Sequence, residues 1–114
     1  MTVQRIEPSR WAGFLGTVSE TLIGKRAEVD VLSADLGDQR VAEWLPLLGI
    51  SHDPKDDLIA VHLTGVEHMI QHPRELYADF DVGGLVSLEI IDGEGRRRIV
   101  TLRDPVALPP PGRA

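Results

Sequence analysis

At 114 residues the chain has the length of one compact domain, and 42% hydrophobic with 26% charged residues is a globular rather than a disordered composition. The lack of cysteine removes disulfides, thiolate catalysis and sulfur-ligated metals together. A formal net charge of −6 disfavours nucleic-acid binding, which draws on a basic surplus, unless a local basic face survives.

The first predicted element is a helix over "PSRWAGFLGTVSETLIGK". Trp11, Phe14, Leu15, Val18 and Leu22 fall on one helical stripe. Ser9 is placed to cap its start, and Gly24 to end it in a left-handed conformation. Gly13 and Gly16 each weaken it by about 1 kcal/mol relative to alanine, so the helix must dock on something. The period then changes. In "RAEVDVL", Ala27, Val29 and Val31 alternate with acidic residues as in a half-buried strand, and "SADLGD" turns the chain. "QRVAEWLPLLGIS" continues as a second strand, with Pro46 predicting a bend or an edge.

"DPKDD" reads as a loop, and "LIAVHL" as a third strand with Ile59, Val61 and Leu63 on one face. Over residues 64–72, Val66, Met69 and Ile70 follow a helical stripe behind a "TGVE" capping box, which predicts up to two helical turns before Pro73. "ELYADF" is a further short strand. "LVSLEII" and "RRIVTLR" flank "DGEG" as a hairpin. The proline-rich residues 104–114 form a tail to a single domain over 1–103. One helix and five or six antiparallel strands define an α+β domain: a helix packed on a bent sheet, or a small, partly closed barrel of the SH3 or Sm kind.

"VDVLSADLGDQ", "LPLLGISHDPKDD", "HMIQHPREL" and "LEIIDGEG" resemble segments of a family of small bacterial proteins known only as a domain of unknown function. The resemblance runs from about Trp11 to Leu102, and it implies no activity, cofactor or site residue.

Four motifs carry potential chemistry. His68 and His72 stand four apart, a spacing that lets two side chains share a metal on a helix but spans about 13 Å on a strand. Glu67 precedes the pair, so the metalloprotease order is absent, and a solvated turn with polar histidines is the favoured reading. "SHD" (Ser51, His52, Asp53) holds a triad's residue types in consecutive positions that point to opposite faces, and so reads as coincidence. "DFDVGG" lacks the acid at the twelfth position of a calcium loop. Arg96, Arg97 and Arg98 form the basic cluster; Glu89, Asp92 and Glu94 are placed to neutralise it, with phosphate contact by Arg96 and Arg98 the minor alternative.

"EWLPLLGI" places more apolar groups than one strand face can bury: cover on both faces, by the helix and by a barrel interior, is the favoured explanation, and an interaction surface at Trp44, Leu47 and Leu48 is its competitor. The sequence therefore predicts a non-enzymatic interaction or accessory domain without cofactors, with a homodimer through Trp44 as the candidate assembly. A nucleic-acid-binding barrel using Arg96 to Arg98 with Lys25 and Arg26 is the alternative, and a histidine-based metal enzyme ranks third. No stretch of ~20 apolar residues and no apolar leader stands in the chain, so a cytoplasmic location is expected.

Overall fold

The computed structural model describes residues 2–104. The predicted tail, apart from Asp104, lies outside them. Strand β1 (Thr2–Ile6) and a single 3₁₀ turn (Pro8–Arg10) lead into helix α1 (Trp11–Leu22). Then follow β2 (Arg26–Ser33), β3 (Gly37–Asp53), β4 (Leu58–Leu63), β5 (Val66–Gln71), β6 (Pro73–Asp81), β7 (Gly84–Asp92) and β8 (Arg97–Arg103). All strand pairings are antiparallel, in the order β1-β6-β7-β8-β2-β3-β4-β5. The protein is thus an α+β domain, mostly antiparallel sheet with one short helix. The sheet is open. Its edge strands β1 and β5 each pair with one neighbour, so the barrel expected from the strand pattern does not close.

The 17-residue β3 shapes the sheet. Its first half pairs with β2 as far as Pro46, and its second half pairs with β4 from Leu47 onward. Trp44 adopts φ 50 at the changeover, and the register shifts between Leu47 and Gly49. Pro46 sits where one partner ends and the next begins, so its missing N–H costs the ladder little. The bend that proline predicts is where the sheet turns.

Beyond that corner β3 has no strand on its former β2 side, and α1 takes the place. The Ser19 hydroxyl accepts from the N–H of Ile50 and donates to its carbonyl, both at 2.8 Å. Covering a strand edge with a helix satisfies backbone groups that would otherwise invite pairing. At the other end of the helix the Trp11 indole N–H donates to the Ile6 carbonyl at 2.8 Å, and its ring meets His52 edge-on at 5.2 Å. The helix therefore ties edge strand β1 to the far half of β3. Trp11, Leu15 and Val18 are its buried residues; they share one core with Val29, Ile50, Ile59, Ile70, Leu88 and Val100 from both halves of the sheet.

Several expectations change. Ser9 falls in the 3₁₀ turn, and α1 starts after Arg10 without a side-chain cap. Phe14 is only partly buried. Residues 66–71 are a strand, not a helix: Thr64 and Gly65 (φ 78) form a two-residue hairpin turn that pairs Leu63 with Val66. In that strand Ile70 is buried while Met69 is 48% exposed, so the apparent helical stripe is coincidental.

If α1 is docked as described, Leu15→Ala should lower unfolding free energy by about 2–5 kcal/mol in urea titrations. Phe14→Ala should cost clearly less. Equal losses at the two positions would contradict this docking.

Candidate functional site

A cavity lies where three segments distant in sequence meet: the β3–β4 turn, the link from β5 to β6, and the β7–β8 hairpin tip. Backbone bonds join them directly. The His72 N–H donates to the Asp57 carbonyl at 2.8 Å, and the Gly93 N–H donates to the His72 carbonyl at 2.8 Å. Asp57 (φ 51) and His72 (φ 54) both stand in the left-handed region, a conformation that costs free energy for non-glycine residues. Their side chains hydrogen-bond as well, His72 Nδ1 to Asp57 Oδ2 at 2.9 Å.

The hairpin tip is organised by Asp92. Its Oδ1 accepts the N–H groups of Glu94 (2.9 Å) and Arg96 (3.0 Å), while Oδ2 pairs with Arg98 Nη1. Gly95 supplies the positive φ of 82 that the turn needs. Both partners of the Asp92–Arg98 pair are largely buried, with side-chain exposures of 6% and 11%. Burial alone would raise the Asp92 pKa. The hydrogen bond from Arg98 and the two backbone N–H groups outweigh it and hold the carboxyl below the usual carboxylate range.

The resulting cavity measures about 590 Å³, within the range of small-molecule sites. His72, Arg74, Arg96 and Arg98 contribute to its polar wall, and Met69 and Pro73 to its apolar one. His72, singled out with the histidine pair, and Arg96 and Arg98, singled out together as a basic cluster, thus share one cavity. Arg74 and Asp57 were missed, and they stand inside the "HMIQHPREL" and "DPKDD" segments. The three consecutive arginines are each paired: Arg96 with Glu94 at 3.1 Å, Arg97 with Glu89 at 3.9 Å, and Arg98 with Asp92.

His68 does not join His72. Strand β5 sends it to the inner face, in register with Val61 and Ile50, while His72 stands at the rim against Asp57. Burial first, and then the charge of Arg98, lower the His68 pKa. The Trp44 region is elsewhere, at the sheet corner. There the Arg103 guanidinium lies 3.9 Å from the indole centroid, and Arg26 donates to the Trp44 carbonyl at 2.9 Å. Leu47 is a core residue with no exposure, so it leaves the proposed interaction surface; Leu48, at 53%, is exposed.

Ser51 meets not its sequence neighbours but His62, at 3.2 Å on the outer face of β3 and β4. Glu67 stands 3.8 Å beyond, too far for a hydrogen bond. None of these three side chains lines the cavity.

A small α+β domain with one open sheet and a polar cavity at a hairpin tip is the class these features define. Residues 2–111 match the model of a family of unknown function, DUF5335, and the chain belongs to that family. An uncharacterized protein from Aquifex aeolicus (strain VF5) is 32% identical over 110 residues, covering 96% of this chain and 99% of the relative. No solved structure matches this chain significantly.

Two outcomes test this geometry. Asp92→Ala leaves Arg98 buried without its counter-charge and should cost about 3–5 kcal/mol, much of it recovered when Arg98→Met is added. An additive double mutant would contradict the pairing. As pH falls through about 6.5 the unfolded chain protonates at His68 before the folded one does. Stability should therefore decline as pH falls below about 7, and His68→Gln should flatten that slope in urea titrations.

Proposed function

We propose that this protein is a non-enzymatic binding domain that takes up a small molecule in the cavity between His72 and the β7–β8 tip. One observation carries the reading: three sequence-distant segments are bonded to one another around a cavity of about 590 Å³, with two strained non-glycine residues at their junction. Strain of this kind gathers where a fold holds a site in place.

Self-association through the Trp44 corner ranks below this. The indole already carries an intramolecular cation, and Leu47 is spent in the core. The nucleic-acid reading has less support still. Each arginine of the cluster faces a carboxylate, and Lys25 stands with Asp104 at the opposite end of β2 and β8. A cytoplasmic setting belongs to the same proposal, since a cysteine-free chain needs no oxidising compartment.

Amide NMR spectra recorded against a library of metabolite-sized compounds test the reading. Binders should shift the amides of His72, Gly93, Glu94 and Arg96 together. Shifts confined to the corner around Leu48, or no response at this end at millimolar concentrations, would contradict it.

A further inference from the structure

We infer that the ligand of this cavity is a small organic acid, held through a carboxylate or phosphate group by Arg74 with Arg98 behind it; this rests on the cavity being a binding site. The formal charges of the arginines and carboxylates along the wall cancel, so what a ligand meets depends on which hydrogen-bonding groups are already used. Asp92 is fully engaged, Oδ1 by two backbone N–H groups and Oδ2 by Arg98. Asp57 accepts from His72, and Glu94 is held by Arg96.

Asp57 and Glu94 each keep one carboxylate oxygen free at the exposed rim; the charged wall residue left wholly unengaged is a donor. Arg74 is exposed on the cavity wall and enters no ion pair among the described residues. The Nε of Arg98 is buried with no acceptor and closed to solvent, so Arg98 contributes positive charge behind the wall rather than a hydrogen bond to the ligand. A guanidinium has five N–H donors and nothing that accepts. The group that complements such a wall is therefore rich in acceptors. Planar or tetrahedral oxyanions match a guanidinium with two parallel hydrogen bonds. Met69, nearly half exposed, offers apolar surface beside these donors, which fits an organic acid better than a bare ion.

Titrating the full chain with inorganic phosphate, and separately with succinate, tests this, with sodium chloride at matched ionic strength as the reference. The readouts are the Nε–H resonances of the arginines and the Gly93 and Glu94 amides. A response to phosphate alone assigns a phosphate ester, to succinate alone a carboxylic acid, and to both an acid of either kind. Arg74→Gln should weaken binding by roughly tenfold or more while the thermal melt stays that of the parent, because Arg74 is exposed and unpaired among the described residues. Undiminished binding by Arg74→Gln would overturn the inference. So would neutral compounds shifting these amides where both anions fail, an outcome that leaves the cavity reading standing. No response to any compound would remove both.

Discussion

The change of partner halfway along β3 is the constraint on which the rest of this structure depends. A single strand serves β2 with its first half and β4 with its second, so the sheet must turn where the exchange occurs. Trp44 takes the backbone strain of that turn, and Pro46 occupies the place where a donor is least needed. The turn leaves β3 exposed along one side. Ser19 fills the gap by standing in for an absent strand at Ile50, which gives α1 a defined seat rather than a generic apolar contact.

The cavity inherits its form from this arrangement. His72 stands where the β4–β5 ladder ends, at Leu58 and Gln71, and the β6–β7 ladder begins, at Pro73 and Asp92, so it joins the β3–β4 turn to the β7–β8 tip. Asp92 then fixes the tip from within, and Arg98 closes the inner wall. A buried ion pair of this kind is a modest source of stability, but each partner is expensive to lose alone. Its effect here is positional: it sets where the tip's N–H groups and the arginines stand.

Much of this was legible in the residues. Alternation located six of the eight strands, "DGEG" gave the hairpin, Pro46 marked the bend, and the acids beside the arginine cluster announced its pairing. Other features were not. Strand β1 has an irregular pattern, since its Val3 faces solvent and only Ile6 is buried, so no period of two appears. Strand β5 imitates a helix because Met69, an apolar residue, happens to face outward. Whether a sheet closes depends on how its two edges meet, and no local pattern records that. Of the cavity, His72 stood out for its spacing from His68, and Arg96 and Arg98 for their place in the basic cluster; Arg74 and Asp57 did not, because their role comes only from the meeting of three segments.

The central claim is that this end of the molecule is a site built in advance and held by its own backbone bonds. Hydrogen exchange of the His72 and Gly93 amides tests it most directly, since these two N–H groups make the bonds that join the three segments. The account predicts protection approaching that of the central strands, because opening either amide requires the segments to part. Exchange at the rate of an unprotected surface loop, with the central strands still protected, would contradict it.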